Sequence, residues 1–576
     1  MRSGLKLFRN SVRVAVALML LLSLSLTLNS LSTSLKLWST RFTPYVYLLS
    51  PHLDLVAWLA ATLIASTLTA LLGVERTWLL VASVFTAVTC CLLKLPALTL
   101  IPSLLVAAAL QSPGQTLSDL LGALAIVEAV NLASYILESL GVSLPLLNAF
   151  RPLDQGLFYS LHWLSPLLYP LLAISWLIAI APPIPLPKLQ ERLESESGYA
   201  LARLCLPLAL VFAAYIGLIP YLPALNAQGR FVGIDAVRYY DRAKNFSFER
   251  WVLRSDRPLT YLLIYAASRL VGAEVAVKAL PLACSVALAA SSYFFMREYS
   301  GSMLAALSAA ILAAASPTTT VAMFAGFYSN WISYSASLAA LTLALKYRRR
   351  VKLLPLAALA ATASMLLHPY HWAVLTFSST LLLAEMVFRR DLDGGLAALS
   401  LAAPQLTAFL LMSAIGFNPV AIYANRFIGF LLQVSSNPLL AFSAAMPTEG
   451  MRMKWWEAAV FYSYNYAGGG LIDTPLLLLA LLGVAALGAV GDAFRRGVLV
   501  YWLVPCTVLM LVTPHTRNMY EIPVYVYATL GLLVLQRFVD RISGRPRHAV
   551  TTALLLVQAC YAVRHAMFTT YILTGG

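Results

Sequence analysis

The chain has 576 residues, of which 60% are hydrophobic and 11% are charged, and its mean hydropathy is +0.79. Soluble globular proteins carry about 25% charged residues, so this composition excludes a water-soluble enzyme and a disordered chain, and it predicts a polytopic membrane protein. The net charge of +16 implies no nucleic-acid partner, because in a membrane protein such a surplus is expected in loops that face anionic lipid.

The first 181 residues predict an N-terminal transmembrane module of about six spans. Basic residues precede the first apolar run, which we interpret as a retained span rather than a cleaved signal peptide. The apolar runs lie near 14–32, 52–73, 77–93, 96–110, 117–140 and 157–181. The polar, proline-rich segment that follows, 182–202, predicts a cytoplasmic linker.

Residues 203–576 predict a second transmembrane module, again all-α, of about eleven spans. Its apolar runs lie near 203–220, 277–296, 303–316, 329–345, 353–368, 372–388, 396–415, 472–490, 498–513, 521–537 and 549–570. The run 258–272 has only 15 residues and contains Arg269, so we expect it to lie on the outer surface without crossing.

That placement decides the orientation of the chain. With 258–272 outside, the basic clusters at 346–350, 389–390, 495–496 and 537–547 all face the cytoplasm, as the positive-inside rule favours. We therefore expect a cytoplasmic N-terminus and two long extracytoplasmic loops, 220–276 and 416–470. The aromatic-rich, sparsely charged composition of the second loop is typical of helices lying in the membrane interface.

The first outer loop carries the most distinctive candidate residues, in the stretch GRFVGIDAVRYYDRAKNFSFERWVLRSDRPLTYLLIY over 229–265. A carboxylate at the membrane edge, such as Asp235 or Asp241, can deprotonate an acceptor arriving from outside. The alternative is a solvated loop whose acids pair with the basic residues around them. For Asp235 we favour the catalytic interpretation, because nothing in the sequence nearby requires a charge between Gly233 and Ala236.

Two further polar groups lie in short outer turns. In TPHTRNMYEIP, Arg517 and His515 stand just before a span, where a guanidinium fork suits a phosphodiester; the alternative is an interfacial anchor. In HPYH, His368 and His371 lie three residues apart. They favour hydrogen bonds to a substrate or simple interfacial placement over a zinc site, since no carboxylate is adjacent.

This order of elements resembles the GT-C glycosyltransferases. It consists of one span, an outer loop that opens with G-x-D and aromatic residues, an R-P-L run and a non-crossing helix. That superfamily includes protein O-mannosyltransferases, lipid A aminoarabinose transferases and oligosaccharyltransferase catalytic subunits, and the resemblance covers about residues 200–570. GIDAVRYYDRAKNF is also similar to the D-x-Y-Y-x-x-R-x-x-N-F stretch of archaeal oligosaccharyltransferases, with the Asp-to-Arg spacing one residue longer. Glu449, in PTEG, resembles a glutamate in an outer loop of those enzymes, although its loop falls two spans earlier.

The resemblance implies a GT-C-like bundle in the cell membrane that transfers a sugar from a polyprenyl-phosphate donor to a protein, lipid or glycan on the extracytoplasmic face, with inversion. Asp235 would be the general base, supported by Asp241. The substrate-binding residues would be Arg242, Arg257, His368, His371, Glu449, His515 and Arg517. A divalent metal (Mg²⁺ or Mn²⁺) is used by oligosaccharyltransferases but not required by O-mannosyltransferase-like members, so the sequence leaves it open. The alternatives are a transporter or flippase for a lipid-linked or polar solute, and a membrane scaffold.

Overall fold

A computed structural model describes residues 113–144, 199–414, 446–448, 451–453, 473–512, 520–543 and 548–575, with a few isolated positions between 147 and 179. The apolar runs predicted before residue 113 lie outside these ranges, as does most of the predicted linker 182–202. So do the turn residue Glu449 and the pair His515 and Arg517.

The described residues are almost entirely helical. The helices in chain order are α1 (Pro113–Ser139), α2 (Tyr199–Leu218), α3 (Ala236–Lys244), α4 (Pro258–Val271), α5 (Ala273–Lys278), α6 (Leu280–Ser300), α7 (Met303–Ala314), α8 (Pro317–Ala325), α9 (Tyr328–Tyr347), α10 (Leu354–Leu367), α11 (Pro369–Phe388), α12 (Leu392–Ala414), α13 (Thr474–Ala486), α14 (Ala493–Val512), α15 (Val524–Ser543) and α16 (Ala549–Thr574). Short 3₁₀ turns at 219–221, 351–353 and 487–489 and a π turn at 249–253 join some of them.

Six residues of the second outer loop are described, and they form strands where helices were expected. Strand β1 (Met446–Thr448) pairs antiparallel with β2 (Met451–Met453), with Met446 opposite Met453. Only two residues separate the two strands in the sequence. The all-α class therefore describes the helical bundle, and this hairpin is the exception among the described residues.

Four helical segments of the described chain are long and apolar enough to cross a membrane: Ala273–Ser300, Met303–Ala325, Pro369–Phe388 and Val550–Thr574. They support a membrane protein built of helices. The helix α4 has 14 residues, fewer than the roughly 20 that a crossing needs. The expected totals of about eleven and six spans stay predictions.

The described residues divide into two compact units, of which the first contains α1, the end of α15 and most of α16. Within it, Glu128 and Asn131 are fully buried on α1, and Asn131 Nδ2 lies 3.4 Å from Glu128 Oε2. The Sγ atom of Cys560 lies 3.0 Å from the Glu128 carbonyl oxygen. Buried ionisable side chains are rare in helical membrane proteins and usually have a polar partner, and Glu128 lies beside Asn131.

Small residues let the helices of the second unit approach closely. The cluster where α2, α6 and α7 meet is made largely of alanine, including Ala213, Ala289 and Ala310. Between α13 and α15, a Cβ atom added to Gly483 would overlap the Tyr527 carbonyl oxygen. Such close backbone contact is characteristic of helix packing in membranes. Burial from water does not drive helices together there, and small side chains permit the close van der Waals packing that does.

The two ends of this helical unit differ in chemistry. At one end, Arg348 after α9 pairs with Asp492 before α14 at 3.0 Å. At the same end, Glu385 of α11 accepts from Arg389 at 2.7 Å and lies 3.4 Å from Arg496 of α14. The helices α9 and α11 begin at the opposite end. Cationic loops therefore gather at one end, and the candidate site lies at the other.

Asp492 gives a prediction about stability and pH. Burial raises the pKa of its carboxyl, but hydrogen bonds from the Arg348 guanidinium and the Arg495 backbone outweigh that effect and lower it. A lowered pKa means that the ionised form stabilises the folded state above the unfolded pKa of about 3.9, and that this contribution is lost as the pH falls through the folded pKa. We expect Asp492→Asn to cost about 1 kcal/mol at pH 7 and less near pH 3.

Thermal unfolding in detergent at the two pH values measures this difference. Asp393→Asn is the matched control, because Asp393 is an exposed carboxylate in the first turn of α12. An equal loss of stability at both pH values for Asp492→Asn would contradict the prediction.

Candidate functional site

Two glycines bring the start of the first outer loop onto the end of α8. Gly233 (φ +109°) lies two residues before Asp235, and Gly326 (φ +74°) ends α8 in the left-handed conformation that favours glycine. The Asp235 backbone N–H donates to the Ala325 carbonyl at 3.3 Å. A Cβ atom on Gly326 would lie 2.8 Å from the Asp235 nitrogen, so a larger residue would push Asp235 away. The position of Asp235 thus depends on this contact.

The Asp235 side chain remains accessible. Its Oδ1 accepts from Arg238 Nη1 at 2.9 Å, one turn along α3, and 18% of the carboxylate side chain is exposed against 71% for Arg238. An ion pair with such an exposed partner contributes less than about 1 kcal/mol. Arg238 can therefore yield its place to a substrate group without a large cost.

Ser329 in the first turn of α9 joins two parts of the loop. Its Oγ accepts from Tyr239 Oη at 3.0 Å and from Arg257 Nη1 at 3.0 Å. The remaining guanidinium nitrogens of Arg257 donate to both carboxylate oxygens of Asp256, at 3.0 and 2.7 Å. These three hydrogen bonds hold the Arg257 guanidinium in a fixed orientation.

Arg242 is held by aromatic rings. Its guanidinium carbon lies 4.6 Å from the Trp251 ring centroid and 4.9 Å from that of Tyr261, and Arg242 Nη1 donates to the Tyr261 hydroxyl. Cation–π contacts of this kind stabilise a partly desolvated guanidinium. In the described part of the chain no carboxylate forms an ion pair with Arg242.

The two guanidinium groups influence each other. Burial lowers the pKa of Arg242, and the positive charge of Arg257 lowers it further. Burial also disfavours the charge on Arg257, but its hydrogen bonds with Asp256 outweigh this and raise its pKa. Both remain cations, because arginine is not deprotonated in proteins. Since Asp256 balances Arg257, Arg242 contributes one surplus positive charge, which suits an anion such as phosphate.

The HPYH turn places its two histidines differently. His368 caps the start of α11, where its Nδ1 accepts from the Tyr370 backbone at 3.3 Å. His371 is fully buried, and its Nδ1 lies 2.7 Å from Glu521 Oε2. Among the described residues there is no group of three or more His, Cys, Asp or Glu side chains arranged to hold a metal ion.

Glu521, which precedes α15, is the centre of this buried group. Asn330 Nδ2 donates to its Oε1 at 3.3 Å, and Trp502 Nε1 donates to its carbonyl at 2.8 Å. Sequence reasoning did not assign a role to Glu521 or Asn330. The sequence offered one signal for Glu521: it is a single carboxylate at the start of the apolar run 521–537, directly after the turn that contains His515.

One further contact connects the loop to the HPYH turn. Thr260 Oγ1, at the start of α4, donates to the Leu367 carbonyl at 2.8 Å, directly before His368. The loop, the start of α9, the start of α11 and the residues before α15 therefore meet at one end of the helical unit.

The structure brings some of the predicted residues together and leaves others apart. Asp235 and Arg257 are connected through α3 and Ser329, and Arg242 lies on the same loop. Asp241 is exposed on α3 and has no ion pair among the described residues. The remaining predicted residues fall into two groups: His368 and His371 at the buried group, and Glu449, His515 and Arg517 outside the described residues.

No model of a known protein family matches the chain, and no functionally curated protein matches it in sequence.

Proposed function

We propose that the chain is an integral membrane glycosyltransferase that transfers a sugar from a polyprenyl-phosphate donor to a protein, lipid or glycan acceptor. The observation that carries this proposal is one loop that holds both an accessible carboxylate, Asp235, and a half-buried cation, Arg242, which forms no ion pair among the described residues. A general base and an anion-binding group are what transfer from a sugar phosphodiester requires.

In the proposed mechanism, Asp235 orients the acceptor and accepts the proton of its hydroxyl or amide. The acceptor atom forms a bond to the anomeric carbon as the bond from that carbon to the phosphate oxygen breaks. The phosphate leaves with the bonding electrons, and the guanidinium groups of Arg257 and Arg242 stabilise its growing charge. A direct displacement of this kind inverts the anomeric centre.

The different chemistry of the two ends supports an orientation. The end with the basic loops, including Arg348 and Arg389, fits the cytoplasmic side by the positive-inside rule. The end that carries Asp235 would then face outward, in the cell membrane, where the donor phosphate lies at headgroup depth and its polyprenyl chain lies between helices.

Arg242 provides a test of the proposed anion site. Arg242→Gln removes the surplus charge, and we expect the donor KM to rise about tenfold, since a hydrogen bond to a charged group contributes about 1.5–3 kcal/mol. Arg254→Gln is the control, because Arg254 is an exposed cation of the same loop that pairs with Glu249. Kinetics at varied donor concentration measure the effect, and equal KM values in both variants would count against an anion site at Arg242.

The function itself is tested with the full-length protein reconstituted in lipid vesicles. Radiolabelled sugars on polyprenyl phosphate are supplied together with candidate acceptors, and transfer of label is measured. Label that moves to an acceptor only when the protein is present supports the proposal. Donor binding without any transfer, across protein, lipid and glycan acceptors, would contradict it.

A second candidate is a transporter or flippase, and the buried pair His371 and Glu521 favours it. Ionisable side chains inside helical membrane proteins often mark ion or substrate pathways. A transporter would move a lipid-linked or polar solute across sealed vesicles without changing it chemically. Measuring flux and transfer on the same vesicles separates the two functions.

A further inference from the structure

His371 and Glu521 form a buried polar pair that the proposed reaction does not use. The Nδ1 atom of His371 lies 2.7 Å from Glu521 Oε2, and neither side chain is exposed. Replacing a buried ion pair with well-packed apolar side chains is often neutral or stabilising. Stability alone is therefore a weak explanation for this pair, and its position is the more informative feature.

The backbone of Glu521 is also held in place. Its carbonyl oxygen accepts from Trp502 Nε1 of α14 at 2.8 Å and from Tyr334 Oη of α9 at 3.4 Å. Together with His371 of α11, three helices contact this one residue. A shift of the first turns of α9 relative to Glu521 would break several of these hydrogen bonds.

The first turn of α9 connects the pair to the loop. Asn330 donates to Glu521 Oε1 at 3.3 Å, and the residue directly before it, Ser329, accepts from Arg257 and Tyr239 at 3.0 Å each. Adjacent residues on an α-helix are separated by about 100°, so neighbouring side chains on one turn reach different neighbours. One helical turn therefore contacts the buried pair and the candidate site together.

We propose that His371 and Glu521 are positioning residues: they fix the first turn of α9 and, through Ser329, the orientation of the Arg257 guanidinium. Neither residue touches the substrate. The role in sugar transfer rests on the proposed function, whereas the link from Glu521 to Arg257 is a property of the fold that can be tested without it.

The kinetic test uses the full chain in lipid nanodiscs. We expect Glu521→Ala to lower kcat about tenfold or more, because small misplacements at an active site reduce rates strongly. Glu521→Gln keeps an acceptor for Asn330 and should recover part of that rate. Combined with Ser329→Ala, Glu521→Ala should add little further loss, because both changes act through the same turn. Losses that multiply in the double variant would overturn the proposal.

A labelling test does not require transfer. An Asp256→Cys thiol, which lies beside the Arg257 guanidinium and leaves its bond to Ser329 in place, is treated with a charged, thiol-reactive reagent in three backgrounds: the parent protein, Glu521→Ala and Gln405→Leu. Gln405 is the matched control, because it is a buried side chain whose Oε1 accepts from Thr376 on α11 at 3.1 Å. We expect the labelling rate to change several-fold with Glu521→Ala and to stay unchanged with Gln405→Leu.

The two tests distinguish the two proposals. Unchanged labelling in the Glu521→Ala background would overturn the positioning role, whatever the transfer rate. Changed labelling in a protein that transfers no sugar would overturn the proposed function and leave the positioning role supported.

Discussion

Asp235→Asn is expected to lower the rate of sugar transfer by about 10²-fold or more, the usual scale for the loss of a general base. Asparagine keeps the size of the side chain and can still accept from Arg238, but its amide cannot take a proton from the acceptor. The backbone contact of Asp235 with Ala325 does not depend on the side chain. Folding and donor binding should therefore survive, and single-turnover kinetics should show the loss in the chemical step.

Glu274→Gln is the matched control, because Glu274 is an exposed carboxylate of the same outer loop that pairs with Lys278. Its transfer rate should remain near that of the parent protein. Asp241→Asn tests the supporting role suggested for the second acid of the loop. If Asp241→Asn abolishes transfer and Asp235→Asn does not, the general base has been assigned to the wrong carboxylate.

Apolar runs in the sequence located many helices well, because a helix that crosses a bilayer requires a long uninterrupted apolar run. The run 329–345 corresponds to α9 (Tyr328–Tyr347), and the run 372–388 corresponds to α11 (Pro369–Phe388). The agreement is poorer near 303–316, where the apolar segment continues past Ser316 as the separate helix α8. Pro317 starts that helix, because proline is favoured in a first turn and disfavoured within a helix.

The contacts that build the candidate site could not be predicted from the sequence. The Asp235 backbone contacts Gly326, which is 91 positions later in the chain, and the His371 ring contacts the Glu521 carboxylate, which is 150 positions later. Each residue type was visible, and the loop and the HPYH turn were singled out. Their partners depend on which helix ends meet in three dimensions, and periodicity within one helix contains no information about that.

Gly326→Ala is expected to lower transfer strongly through the position of Asp235. The residue has a φ of +74°, and alanine in this region costs roughly 1–2 kcal/mol from steric contact with its own backbone. In addition, its Cβ would lie 2.8 Å from the Asp235 nitrogen and 3.1 Å from the Asp235 Cα, so the loop must move. Displacing a catalytic group by about 1 Å can reduce a rate about 10²-fold.

Gly301→Ala separates strain from displacement. Gly301 ends α6 as Gly326 ends α8, in the same left-handed conformation with a φ of +71°, but apart from its chain neighbours no described residue lies within 4 Å of an added Cβ. Both variants should lose a similar amount of thermal stability from backbone strain, and only Gly326→Ala should lose transfer in addition. Melting temperatures and transfer rates measured side by side decide the matter. Equal transfer rates in the two variants would show that the contact between Gly326 and Asp235 does not set the position of the base, since backbone strain is the effect that they share.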